Sequence, residues 1–186
     1  MITYSNPIAY AKRALCTDVD ACNAVGIAAV TLYNGTLVTL GKINTGAAEG
    51  KGYVYPATPT TANTAKDVWM VLSPEINREI ATNMIVDPRA FEIPAGRPAD
   101  LIHLTPCVDN IHVSIDSFTE NYDPATVTTA VYATADADGK YKAVASASGV
   151  TGVVFTIEGE EDMPVGQEMV KAWILKCIQN PNVALV

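Results

Sequence analysis

The stretch VGIAAVTLYNGTLVTL, Val25 to Leu40, decides how this chain is read. Val25 to Leu32 is a short apolar run with β-branched residues, the composition of a strand. Asn34-Gly35 follows, a dipeptide suited to positive φ at a tight hairpin turn. Thr36 to Leu40 then alternates threonine with apolar residues, as a returning strand would. The expectation is a β-hairpin, and its surroundings extend the same pattern.

Downstream, Gly41 to Gly52 holds four glycines among small polar residues and reads as a loop. Tyr53 to Tyr55 is a short strand, and Pro56 to Ala65 an extended Pro/Thr/Ala connection. Val68 to Leu72 is a compact apolar run that stops at Ser73-Pro74, because the residue before a proline is pushed out of the helical region. Glu75 to Met84 suits a short helix or turn, and Phe91 stands alone between Pro-containing loops. Leu101 to Leu104 and the alternating Ile111 to Ile115 are strands. A meander completes the chain. Val127 to Thr134 leads through Asp138-Gly139, a second hairpin dipeptide, to Tyr141–Ala145. Val153 to Ile157 and an acidic turn, Glu158 to Asp162, come next. Met169 to Ile178 carries an apolar stripe at helical spacing, but its β-rich surroundings favour a strand. The fold class expected is mainly β, an antiparallel barrel or sandwich with long loops and at most one or two short helices. Its organisation is an extended N-terminal arm (1–23), a β-rich body (24–118) and a β-meander lobe (119–186) that can share the same core.

Composition narrows the functions. With 186 residues, 49% of them hydrophobic, the chain can bury a sizeable core. A net charge of −8 and only 12 dispersed Lys and Arg argue against phosphate-tracking nucleic-acid recognition and against an anionic membrane surface. No apolar run reaches the length of a membrane span, and Met1 to Leu15 lacks the pattern of a signal peptide. Cys16, Cys22, Cys107 and Cys177 are too sparse for a disulfide scaffold, so they read as buried or free thiols of a protein assembled in the cytoplasm.

Catalytic and ligand sites were sought among the reactive residues, and none is assigned. His112, Ser114 and Asp116 alternate on one strand, so they share a face but stand about 7 Å apart, too far for a nucleophile and its base. A solvent-facing or interface-facing strand edge is the default for them. A zinc site would have to bring Cys16 and Cys22 to His103 or Cys107 through folding. Asp136-Ala-Asp138-Gly139 opens like a calcium loop but has Ala147 at the position of the bidentate glutamate, so a hairpin turn is preferred. Glu158 to Asp162 is a solvated turn, and Gly46, Gly50 and Gly52 lack the spacing of a phosphate loop. Trp69 and Trp173 lie in apolar runs, as core residues rather than a sugar-stacking platform. No cofactor or metal is expected.

Five short segments in fixed order carry a resemblance: "NGTLVTLG" (Asn34 to Gly41), "GYVYPATPTT" (Gly52 to Thr61), "VWMVLSPE" (Val68 to Glu75), "FEIPAGRPADLIHL" (Phe91 to Leu104) and "IHVSIDSF" (Ile111 to Phe118). In order and spacing this part of the chain resembles a tailed-phage capsid accessory protein, of decoration or head-fibre type, encoded beside the major capsid protein. The resemblance spans a little under half of the chain and includes no catalytic motif. It implies a β-rich fold and a non-enzymatic virion component that binds the capsid exterior. The partners it implies are the major capsid protein and further copies of the chain, a trimer being favoured. The polar arm, with Lys12 and Arg13, is then a capsid-contacting element, or else an edge strand packed on the body. The competing readings are a β-sandwich adhesion or carbohydrate-binding module, favoured by exposed aromatic residues, and a small hydrolase with a site assembled across loops.

Overall fold

Alternation of period two is what builds this molecule, because three strands each bury both of their faces. The computed structural model describes residues 6–7, 9–11, 23–43, 55–73, 89, 91–106, 110–119, 131–165 and 168–182. Strands β2 (Asn23–Ala28), β3 (Leu37–Leu40), β4 (Tyr55–Pro59), β5 (Val68–Val71) and β6 (Pro98–His103) close into a barrel of order β2-β4-β3-β5-β6. The pairs are antiparallel except β2 with β4, which run parallel. Strands β1 (Ala9–Ala11), β7 (Asn110–Ser114), β8 (Tyr132–Ala135), β9 (Tyr141–Val144), β10 (Val154–Val165) and β11 (Glu168–Gln179) form an antiparallel sheet of order β1-β7-β11-β10-β8-β9. Among the described residues the helical structure includes only short 3-10 turns such as Ile115–Ser117 and Ala137–Gly139, and the chain is mainly β with a barrel, as its sequence predicts.

A five-stranded barrel has a narrow interior, and small residues fill it. Ala28, Ala57 and Ala99 are buried there with Val38, Val71 and Leu101. A methyl group on Gly26 would come within 2.8 Å of both the Ala57 Cβ and a Leu101 methyl. The opposite faces of β3, β5 and β6 present Leu37, Val68, Met70 and Ile102 to the sheet, where they join Val113, Phe118, Tyr141, Phe155 and Leu175 in one core. The barrel and the sheet therefore bury a common interface. Asn180, just past β11, fastens its edge. Its amide nitrogen donates to the Val68 and Leu104 carbonyls and its oxygen accepts the Val68 N–H, each at 2.9 Å.

The strand expected at Met169–Ile178 is present as β11. Asp138-Gly139 does join β8 to β9, both residues at positive φ (+57° and +69°), in a five-residue connection from Asp136 to Lys140. Four expectations need correction. Val25–Leu40 is not a hairpin, since β4 lies between β2 and β3. Of Asn34 and Gly35 only the glycine has positive φ, so the turn is of type II rather than the type I′ that suits a hairpin. Ala29 to Tyr33 crosses the barrel end instead, with Leu32 bridged to Ile93, and the Asn34 amide is drawn outward to the backbone of Ser73. The second correction concerns Pro56 to Ala65. Its start is strand β4, because Pro56 enters the ladder through its carbonyl, which accepts the Gly41 N–H at 2.9 Å and requires no donor. Third, Glu158 to Asp162 is no turn but the middle of β10. A bulge between Ile157 and Gly159 resets the register, after which Glu160 faces Lys171 at 3.1 Å and Glu161 faces His112 at 3.1 Å. Fourth, β7 is not an exposed edge: it runs between β1 and β11, and both His112 and Ser114 are buried. The glycine loop at 44–52, the Glu75–Met84 segment, Val127 to Ala130, and Cys16, Cys22 and Cys107 lie outside the described residues, as does most of the arm. Of that arm, Ala9–Ala11 pairs with Ile111–Val113 as the edge strand of the sheet.

Candidate functional site

Two turns with glycines at positive φ meet where the barrel mouth approaches the sheet, and a cavity of about 500 Å³ opens between them. The first is the Asn34-Gly35 turn leading into β3. The second is the Asp136–Lys140 connection of β8 and β9. Gly139 is pressed so closely against the first that an added Cβ would lie 2.4 Å from the Thr36 methyl and 2.5 Å from the Leu37 carbonyl. Its N–H donates to the Thr60 carbonyl at 3.0 Å, and the Thr60 hydroxyl donates to the Asp136 carbonyl at 3.2 Å. These bonds hold the β8–β9 turn on the barrel, so the cavity floor is fixed by backbone.

The walls combine apolar and polar groups. Val30, Tyr33 and Pro59 line it together with Asp116, Ser117, Asp138 and Lys140. Asp116 and Ser117 arrive together on the 3-10 turn that ends β7. Burial pushes the Asp116 carboxyl above its ordinary range, and the nearby Lys140 ammonium opposes that shift. The Ser117 hydroxyl is buried and makes no hydrogen bond to the protein. A buried hydroxyl left unpaired costs about 1–3 kcal/mol, and this one is covered beside the Gly35 turn rather than open to the cavity.

The two histidines are both in use elsewhere. His103 Nε2 lies 3.2 Å from the Asp67 carboxylate, its ring meets Trp69 edge-on at 5.0 Å, and Asn180 stands beside it. His112 Nδ1 lies 3.1 Å from the Glu161 carboxylate on the opposite side of the sheet from the common core. The His112–Ser114–Asp116 series is thus divided. His112 and Ser114 are buried between strands, while Asp116 leaves the alternation and enters the cavity. The Asp136–Gly139 segment, whose calcium reading is displaced by its role as a hairpin turn, supplies another cavity wall. Among the described residues no group of three or more His, Cys, Asp or Glu is placed to share a metal ion. Trp173 is buried and Trp69 half-buried, so neither forms an exposed platform. Cys177 is buried in the core, where its thiol donates to the Gln179 carbonyl at 3.7 Å.

Comparison of the chain with protein-family models, curated proteins and solved structures finds no match. The reading of function therefore rests on the residues themselves. The cavity escaped sequence reasoning because its lining comes from turns separated by a hundred residues. Its one legible signal was the pair of Gly-containing turns.

Proposed function

We propose that this protein is a non-enzymatic virion component of a tailed phage, which binds the capsid exterior as a closed homo-oligomer, a trimer. The observation that carries the docking part is the β10–β11 ribbon. Both strands are 12 residues long, yet β8 pairs only with Val154–Thr156 and β7 only with Ala172–Lys176. The outer half is thus two-stranded in its ladder, a ribbon that buries Met163 and Val165 on one face and projects an apolar residue near its tip, Met169, 63% exposed. Glu158, Glu160, Glu161, Asp162 and Glu168 stand along it, with Lys171 beside Glu160, Arg89 beside Glu168 and His112 beside Glu161, which leaves a net acidic surface. Such a projection buries area on a neighbour without a preformed pocket, and its charge suits a basic partner surface.

The non-catalytic part is supported by what the histidines do. Each is committed to a carboxylate and to packing between elements, the usual duties of a structural histidine. The resemblance of Asn34–Phe118 to capsid accessory proteins supplies the identity of the partner, the major capsid protein. Light scattering of the protein alone and mixed with assembled capsids tests the reading. The expected result is a defined closed oligomer that joins capsids but not free capsid subunits, with binding weakened by Met169→Glu. A monomer that ignores capsids would overturn it.

A further inference from the structure

We propose that the cavity between the Asn34-Gly35 turn and the β8–β9 connection binds a neutral sugar, the terminal unit of a glycan. This goes beyond the capsid role and rests on no part of it.

The chemistry of the walls selects the ligand. Asp116 and Asp138 offer carboxylate oxygens that accept from hydroxyl groups, and Lys140 offers a donor. On the same lining, Tyr33 and Pro59 present apolar surface to which the C–H face of a sugar ring can pack. A neutral polyhydroxylated ring meets both requirements at once. Other ligand classes each leave something wrong. An anion would face two carboxylates. A cation would be repelled by Lys140, and the raised affinity of Asp116 for its proton already weakens the negative field. An apolar molecule would bury the carboxylates without partners.

Size and rigidity agree with that choice. About 500 Å³ lies within the ~300–1,000 Å³ typical of ligand sites and admits a mono- or disaccharide. Gly139 is buried against Thr36 and Leu37 and holds the two turns together through backbone packing, so the site is formed before a ligand arrives.

Amide chemical shifts of the full chain, titrated with the methyl glycosides of glucose, galactose, mannose and N-acetylglucosamine, test the proposal. Calcium chloride and sodium sulfate serve as ionic comparators. At least one glycoside is expected to shift the Tyr33, Gly35, Ser117 and Gly139 amides saturably, with a millimolar Kd of the kind a single small ligand reaches. Asp116→Asn and Asp138→Asn, the latter chosen because asparagine tolerates the left-handed backbone at that position, should each weaken binding by about fivefold or more. Their amide spectra away from the cavity should stay unchanged, which separates lost binding from lost folding. The proposal falls if no glycoside gives a saturable shift, if the shifts map elsewhere, if calcium or sulfate alone moves the cavity amides, or if both variants bind as wild type. None of these results bears on capsid binding, so the two proposals fail separately.

Discussion

Gly139 and Gly149 have nearly the same backbone conformation, φ of +69° and +80°, but very different neighbours. A Cβ on Gly149 would meet nothing within 4 Å, whereas one on Gly139 would press on the Thr36 methyl and the Leu37 carbonyl. Conformation and packing can therefore be measured apart. Gly149→Ala should cost about 1 kcal/mol, the conformational penalty alone, and Gly139→Ala about 3 kcal/mol or more, both read from urea unfolding. Asp116 offers a second test at this scale. Its carboxyl binds a proton more tightly folded than unfolded, so between its ordinary and raised pKa the native state holds more protons and stability falls as pH rises. Above that window the ionised carboxylate works against folding, and Lys140 recovers only part of the loss. Asp116→Asn should thus unfold at higher urea than wild type near about pH 7, with the difference vanishing near about pH 3, below the carboxylate range. A variant less stable at neutral pH would show that Lys140 dominates.

At the scale of elements, legibility followed how local the deciding interaction was. β11 was readable because its surroundings are β-rich and its middle, Ala172 to Cys177, is mostly buried, and the Asp138-Gly139 connection because both φ angles are set within the turn itself. The Val25–Leu40 hairpin failed for the opposite reason. What separates β2 from β3 is β4, brought in from Tyr55–Pro59, and what redirects Asn34 is the backbone of Ser73, 39 residues away. The acidic run 158–162 misled because charge signals exposure, and an exposed strand in a two-stranded ribbon satisfies that signal as well as a turn does. His112 was misplaced because a neighbour on either side of β7 cannot be seen from β7 alone. The ribbon carries its own expectation. Its inner half is flanked by β8 and β7, while its outer half, from Gly159 to Val165 and from Glu168 to Lys171, has only its partner strand as a ladder neighbour among the described residues. Hydrogen exchange should be on the order of a hundredfold slower at Phe155, Thr156, Leu175 and Cys177 than along Glu160–Asp162, by opening of the outer half alone. Equal protection along both halves would mean that the projection is covered.

For the whole molecule the question is whether barrel and sheet unfold as one. Leu37, Val68, Met70 and Ile102 from the barrel share a core with Phe118, Tyr141, Phe155 and Leu175 from the sheet region, and the Tyr141 hydroxyl reaches the Met70 sulfur at 3.5 Å. Burial of that phenol pushes its proton affinity up, as befits a group that stays neutral at the centre of the interface. Neither half can open without exposing apolar surface of the other, and Asn180 would lose its three backbone bonds at the same moment. One cooperative transition is therefore expected. Nature has placed one tryptophan in each half, Trp69 on β5 of the barrel and Trp173 on β11 of the sheet. Each indole N–H is buried without a hydrogen bond, so replacing either ring by phenylalanine removes an unpaired donor along with some volume, and the two costs oppose each other. Trp69→Phe then reports the sheet and Trp173→Phe the barrel by fluorescence. In each variant the fluorescence and circular-dichroism midpoints in urea should coincide, because the remaining tryptophan is lost with the whole fold. A separation above about 0.5 M within one variant would mean that the shared core is too weak to couple the halves, since such a gap corresponds to roughly 1 kcal/mol of independent stability at the slopes of small domains.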